Sequence, residues 1–121
     1  MAIIQLAAAR PALRPAAALF RSLGDPARLA IVRELTRGPA RVVDLTRPLG
    51  LAQSTVSKHL ACLRDCGLVT SEAAGRASVF RLAQPALAGM LTAAEAVLAA
   101  TGSAVALCPV YGLDACGQEA P

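Results

Sequence analysis

The clearest periodic pattern in the chain begins at Gln53. Apolar residues then recur at i, i+4 and i+7, the spacing that places side chains on one face of a helix. They are Val56, Leu60 and Leu63, and Gly67 is well placed to end the helix in the left-handed conformation. The pattern predicts a helix that buries this face and exposes the opposite one, which carries small and polar side chains.

Helical patterns also occur before and after this stretch. Asp25 can cap a helix that has Pro26 in its first turn, and Gly38 ends that helix. Pro48 disfavours helical geometry at the residue before it, so a short preceding helix is expected to end at Arg47. Four further helices are therefore expected, over about residues 13–23, 26–37, 42–47 and 85–101.

Two β-prone runs follow the helix that begins at Gln53. They are Leu68–Thr70 and Val79–Leu82, and Gly75 and Arg76 lie between them near the tip of a predicted hairpin. The order helix, helix, short helix, turn, helix, hairpin, helix is that of a winged helix-turn-helix. The expected fold class is thus mainly α with a β-hairpin wing.

The last helix has no obvious partner inside so small a domain. Its apolar stripe, together with the first helix, is expected to pack on a second copy of the chain, which would dimerise through its terminal helices. Packing within the same chain is the alternative. At 121 residues there is room for one domain. Residues 1–12 are expected to be disordered, residues 13–101 to form the winged helix-turn-helix and dimerisation domain, and residues 102–121 to form a tail.

The alanine- and leucine-rich N-terminal stretch does not have the pattern of a targeting signal. Arg10, Pro11, Arg14 and Pro15 interrupt it, so it contains no continuous apolar region. No segment reaches the ~18 apolar residues of a membrane span. We expect a cytoplasmic protein with no membrane partner.

The charge of the chain bears on its partner. The net charge is +4, and Lys58 is the only lysine among 12 basic residues. Such an excess fits contact with phosphates but does not require it. The short polar side chains opposite the apolar face would let a helix approach the major groove of DNA and offer donors and acceptors. The candidates for DNA contact on this helix are Gln53, Ser54, Thr55, Ser57 and Lys58.

Three arginines add candidates outside that helix. Arg76, at the hairpin tip, is a candidate for minor-groove contact, and Arg41 and Arg47 are candidates for phosphate contact. The alternative is that these polar residues form only a solvated surface. The hairpin and the helix-turn-helix spacing favour DNA binding.

Four stretches of the chain carry specific motifs, namely Leu23–Leu29, Gln53–Leu60, Leu63–Val69 and Gly75–Arg76. Together these motifs resemble the ArsR/SmtB family of metal-sensing repressors, and the resemblance covers roughly residues 16 to 100. It implies a homodimer that represses a resistance or efflux operon by binding a palindromic operator, and releases the operator when metal binds. The chain departs from the family pattern at Ala52, where a Ser often caps the helix, and at Pro48.

The four cysteines suggest a second kind of chemistry. In a reducing compartment they favour metal binding or redox chemistry over structural disulfides. Cys62 and Cys66 are four apart, so both thiols lie on one flank of the helix from Gln53 and can bind one ion. Together with Cys108 in the tail they offer three thiolates, which suit Cd(II), Pb(II) or As(III). The alternative is that the helix cysteines are small core residues.

The resemblance narrows the type of metal site. Arg41 and Val43 stand where some members carry paired cysteines, and residues 85–101 contain neither Asp nor His, which a zinc-type site would need. What remains is similar to the cadmium- and lead-sensing members, which implies Cys62, Cys66 and Cys108 as ligands, with Cys108 coming from the other protomer. Cys116 has several open roles: it can replace or supplement Cys108, occupy a fourth coordination position, or be a bystander. His59 shares the flank, but members that bind no metal carry it too.

The expected function is therefore a Cd(II)- or Pb(II)-responsive repressor. The alternatives are an As(III)-responsive repressor, a thiol redox-sensing repressor of the same fold, and a protein-interaction module that does not bind DNA. An enzyme is not expected, because His59 has no carboxylate close in sequence and no nucleophile or phosphate-loop motif is present.

Overall fold

The computed structural model describes residues 2–103 and residue 107, with side chains from residue 10 onward. Cys108 and Cys116 lie outside the described residues. No helix in the described part of the chain is long and apolar enough to span a membrane. In chain order the elements are α1 (Ala2–Leu23), α2 (Pro26–Leu35), β1 (Ala40–Arg41), α3 (Val42–Leu49), α4 (Gln53–Asp65), β2 (Val69–Ala74), β3 (Ala77–Leu82) and α5 (Ala86–Ala100).

The core lies where α2, α3 and α4 meet the strands. Val56, Leu60 and Leu63 of α4 are fully buried, on the face that their spacing predicts. Their contacts fix the orientation of α4 and therefore leave its opposite face outward. The remaining core side chains are Leu23, Ile31, Val32, Leu35, Leu45, Leu68, Val69, Phe80, Leu87, Leu91 and Leu107.

Helix α2 begins as its sequence predicts. Asp25 has extended backbone geometry, and its Oδ2 accepts the backbone N–H of Arg28 at 3.0 Å. Pro26 occupies the first helical position, where its missing N–H costs nothing. This cap places the start of α2 directly after the end of α1.

Helix α3 is longer than the sequence predicts. It ends at Leu49 and contains Pro48, so the expected end at Arg47 is wrong. Near the end of a helix the proline removes a single backbone donor. The carbonyl of Thr46 accepts the backbone N–H of Gly50 at 2.9 Å and that of Leu51 at 3.3 Å. Gly50, at φ 64°, closes the helix in the left-handed conformation.

Helix α1 begins earlier than the sequence predicts. It runs from Ala2 through Pro11 and Pro15, whereas residues 1–12 were expected to be disordered. Alanine is the strongest helix former, and runs of alanine lie on both sides of the two prolines. The prolines are four residues apart, so they occupy one face of the helix.

The predicted hairpin is present and longer than its apolar runs. Strands β2 and β3 are antiparallel, with Val69 opposite Leu82 and Ala74 opposite Ala77. The short strand β1, which was not predicted, pairs with β3 on its other side, so the order is β1-β3-β2. A strand of two residues has no periodicity to detect. The helices and this small sheet form the predicted winged helix-turn-helix.

Candidate nucleic-acid interface and thiol site

The outer face of α4 presents most of the side chains predicted to contact DNA. Gln53, Ser54, Ser57 and Lys58 are exposed, whereas Thr55 is half-buried. Polar side chains on an exposed helix face can reach base edges and phosphates once the helix enters the major groove. The burial of the opposite face leaves this surface exposed to solvent.

The start of α4 lacks a side-chain cap. Ala52 is the N-cap residue, and no side chain there accepts a hydrogen bond from the first turn. The carbonyl of Ala52 still accepts the backbone N–H of Val56 at 3.0 Å. The missing cap acceptor costs about 1 kcal/mol relative to a Ser. The backbone N–H groups of the first turn of α4 therefore receive no acceptor from the Ala52 side chain, and they lie next to the exposed polar face.

A groove between α3, α4 and the wing brings two of the predicted arginines together. Its volume is about 410 Å³, and Arg76 lies next to Gly75, whose φ of 64° forms the tip of the hairpin. Arg47 lines a neighbouring groove, which also borders Arg41. Two cations beside exposed Gln53 and Ser57 make this groove suited to a phosphate backbone. The lining residues are Arg41, Val42, Val43, Gln53, Ser57, Arg76, Ala77, Ser78 and Phe80.

Asp44 is a functional neighbour that the sequence reasoning missed. Its carboxylate accepts the backbone N–H of Arg41 at 3.0 Å and contacts the guanidinium at 3.0 and 3.1 Å. These hydrogen bonds lower the pKa of Asp44 and raise that of Arg41. Asp44 stands three positions after Arg41, the N-cap residue of α3, which is the spacing at which an acidic side chain reaches back to the N-cap backbone N–H. The pair holds Arg41 at the edge of the groove.

Cys62 on α4 and Cys66, the C-cap residue of α4, meet the corner between α1 and α2. Nη1 of Arg28 donates to Cys62 Sγ at 3.7 Å, and the hydroxyl of Ser22 donates to Cys66 Sγ at 3.8 Å. Nε of Arg28 donates to the carbonyl of Ser22 at 2.8 Å, which joins the two contacts. Cys62 is half-buried and Cys66 is exposed. Both sulfurs therefore have hydrogen-bond donors from the same corner.

His59 faces a different partner from the thiols. Its Nδ1 lies 4.0 Å from Oδ2 of Asp25, the residue that caps α2. The hydrogen bond from the backbone N–H of Arg28 lowers the pKa of Asp25, and the charge of His59 acts in the same direction. This contact ties α4 to the same corner that Cys62 and Cys66 touch.

The thiols form only part of a metal site in the described residues. No three His, Cys, Asp or Glu side chains come together as a metal-binding group there. Further thiols, Cys108 and Cys116, belong to the tail outside the described residues. Leu107, the residue before Cys108, is buried, and its backbone N–H donates to the carboxylate of Glu95 on α5.

The terminal helices expose large apolar side chains. On α1 the exposed fraction is 52% for Leu13 and 63% for Phe20, and on α5 it is 63% for Val97. Leu13 and Phe20 are seven residues apart and therefore lie on one face of α1. A large contiguous apolar patch at a surface is typical of a contact with another protein.

Comparison with known proteins places the chain in a family. The family described as "Bacterial regulatory protein, arsR family" matches residues 25–71. The chain is 32% identical over 92 residues to a probable mercury resistance operon repressor of Streptomyces lividans, covering 76% of this chain and 74% of that protein. It is 44% identical over 75 residues to the HTH-type transcriptional regulator CmtR of Mycobacterium bovis, covering 62% of this chain and 64% of CmtR.

A solved structure agrees with these relatives. It is the solution structure of the homodimeric winged helix-turn-helix DNA-binding domain of a possible ArsR-family transcriptional regulator from Mycobacterium bovis. It matches with a TM-score of 0.67 and 25% sequence identity, over 74% of this chain and 82% of that one. The chain therefore belongs to the arsR family of bacterial regulatory proteins, and it is a winged-helix regulator of transcription and not an enzyme.

Proposed function

We propose that the protein is a homodimeric repressor that binds a palindromic operator and leaves it when a thiophilic metal ion binds Cys62 and Cys66. The observation that carries the proposal is the division of α4. Its first turns expose polar side chains beside the arginine-lined groove, whereas its last turn and its C-cap residue carry two thiols at the corner of α1 and α2. We assign the repressor to the cytoplasm, where thiols stay reduced.

The DNA contact is assigned to α4 and the wing. Gln53, Ser54, Thr55 and Ser57 serve as base- and phosphate-contacting residues, and Lys58 and Arg76 as contacts to the backbone or the minor groove. The support is the exposure of five of these six side chains. Thr55 is half-buried and suits a contact at the margin of the interface.

The homodimer is assigned to the terminal helices. Leu13, Phe20 and Val97 expose apolar surface that a second copy would cover. The solved relative is described as homodimeric, which supports the same assembly here. A twofold dimer presents two copies of α4, and a palindromic operator matches that symmetry.

The metal is assigned to Cys62 and Cys66, with a third thiolate from the tail. The backbone N–H of Cys66 donates to the carbonyl of Cys62 at 3.0 Å, so the thiols project from adjacent turns and can share one ion. Thiolates select soft ions. Cys108 of the partner subunit is the proposed third ligand, and Cys116 is the alternative. Cd(II) or Pb(II) is the proposed inducer, and As(III) and Hg(II) are the alternatives to test.

Release from DNA follows from linkage. An ion held by Cys62, Cys66 and a tail thiolate ties the last turns of α4 to another segment, which changes the orientation in which the first turns meet DNA. A typical coupling of about 1 to 3 kcal/mol corresponds to a drop in DNA affinity of roughly 5- to 150-fold. DNA must weaken metal binding by the same factor.

A mobility-shift titration tests this function. The DNA is a fragment that the metal-free protein selects from a random pool, and Cd(II) is added to wild type, Cys62→Ser and the control Ala61→Ser, which adds a hydroxyl but keeps both thiols. We expect Cd(II) to weaken binding by roughly 5- to 150-fold in wild type and the control, and to have no effect on Cys62→Ser. Unchanged affinity at saturating Cd(II), Pb(II), As(III) and Hg(II) would overturn the proposal.

A thiol redox repressor is the second candidate, because Cys66 is exposed and exposed thiols are accessible to oxidants. Peroxide would then release the DNA in the absence of metal, and a dithiol would restore binding. An unchanged mobility shift after peroxide excludes this second function.

A further inference from the structure

We infer that Arg28 gives the thiol site its preference for divalent ions over As(III), through the positive charge that it holds beside Cys62. The inference rests on the proposed function, because it concerns the ion bound by the same two cysteines. Nη1 of Arg28 lies 3.7 Å from Cys62 Sγ, which places the cation in direct contact with one proposed ligand.

Arg28 is held at two points, one on its guanidinium and one on its backbone. Nε of Arg28 donates to the carbonyl of Ser22 at 2.8 Å, and the backbone N–H of Arg28 donates to Asp25 at 3.0 Å. Since Nε and Nη1 belong to one planar group, the first hydrogen bond also orients the nitrogen that faces Cys62. The cation is therefore oriented before any ion arrives.

The second sulfur has a neutral partner. Ser22 is 5% exposed, and its hydroxyl donates to Cys66 Sγ at 3.8 Å. The acidic group at this corner is Asp25, whose Oδ2 faces the backbone N–H of Arg28 and Nδ1 of His59. Arg28 thus brings a full positive charge against a ligand sulfur.

Ionic charge then distinguishes the candidate ions. Three thiols that bind Cd(II) or Pb(II) release three protons and leave a complex of net charge −1. Three thiols that bind As(III) from its neutral hydroxide form three waters, and the complex is neutral. With any fixed number of thiolates the divalent complex carries one more negative charge. A cation 3.7 Å from the sulfur stabilises the more negative complex.

The test compares two ions on one protein. Reduced wild type, Arg28→Gln and Arg28→Lys are titrated with Cd(II) and separately with As(III), and thiolate absorption in the ultraviolet reports binding. We expect Arg28→Gln to lower Cd(II) affinity by roughly 10- to 100-fold, the usual effect of losing a group that orients a ligand. The loss for As(III) should be clearly smaller. Arg28→Lys retains the charge and should keep the preference for Cd(II).

Arg81→Gln is the matched control, because it removes an equal charge from the wing, where Arg81 pairs with Glu72. It should leave both affinities unchanged. Equal losses for Cd(II) and As(III) in Arg28→Gln would contradict the inference and leave Arg28 a purely structural role. If Arg28→Gln does not fold, the test relies on Arg28→Lys. This variant retains the positive charge, so loss of the preference for Cd(II) over As(III) in it would also contradict the inference. Thiolate absorption that persists in Cys62→Ser would instead contradict the proposed function.

Discussion

The first and last turns of α4 belong to one continuous helix but have different surroundings. Gln53, Ser54 and Lys58 point to solvent, whereas the sulfurs of Cys62 and Cys66 accept hydrogen bonds from the corner of α1 and α2. The two regions share the buried face that Val56, Leu60 and Leu63 provide. Because close-packed interiors transmit strain, the proposed function requires that a ligand at one end alters the position of the other.

The largest expected effect, on the free energy of unfolding, comes from disrupting the buried face of α4 that the two regions share. Leu60 is fully buried between them, and Leu60→Ala should lower the free energy of unfolding by about 2 to 5 kcal/mol. Ser54→Ala on the exposed face is the control and should stay within about 0.5 kcal/mol. Urea unfolding measures both. A loss below about 1 kcal/mol for Leu60→Ala would contradict the shared core.

Gln53→Ala should separate the two regions functionally. Loss of a bidentate base contact costs about 1 to 3 kcal/mol, which is roughly 5- to 150-fold in affinity for the selected DNA. Fluorescence anisotropy measures this loss, and thiolate absorption should show unchanged Cd(II) affinity. A parallel loss of Cd(II) affinity would mean that the two ends of α4 do not have separate roles.

Lys58→Ala should weaken binding to all DNA sequences alike. A phosphate contact carries no sequence information. We therefore expect the plot of log affinity against log salt concentration to become less steep, with its slope reduced by about 1. Lys58→Arg keeps the charge and should keep the slope. The measurement is DNA affinity at several salt concentrations. A loss of affinity in Lys58→Ala that is confined to the selected sequence would indicate a base contact instead.

The smallest expected effect concerns the corner that faces the thiols. The pKa of Asp25 is lowered by the backbone N–H of Arg28, so its carboxylate stabilises the fold fully above the ordinary pKa of 3.8. This contribution disappears as the pH falls through the lowered value. Asp25→Asn keeps a cap acceptor but does not titrate. Melting temperatures should differ by a few degrees at neutral pH and converge in acid. A constant difference would contradict this assignment.

Local patterns were enough for much of the fold. Asp25 caps α2 because its carboxylate can reach a backbone N–H three residues on, a contact that depends only on neighbouring residues. Gly75 and Arg76 form the hairpin tip because they are the two residues between Ala74 and Ala77, and Gly75 adopts the positive φ that so short a turn needs. The predicted end of α3 at Arg47 was wrong. Pro48 disfavours helical geometry at the residue before it, but the hydrogen bonds that Gly50 and Leu51 make at the end of α3 outweigh this preference.

The candidate site was predictable only in part. The spacing of Val56, Leu60 and Leu63 implied which residues of α4 face outward and that both of its cysteines share a flank. The partners of those cysteines were not predictable, since Arg28 and Cys62 are 34 residues apart and Ser22 and Cys66 are 44 apart.

The sequence by itself therefore determined the helices, the wing and the polar face of α4, because periodicity and capping act between residues close along the chain. Only the tertiary structure decided that Arg28 and Ser22 meet the thiols, and that β1 joins β3. Such contacts depend on how α1, α2 and α4 pack around one core, and no local pattern encodes that packing.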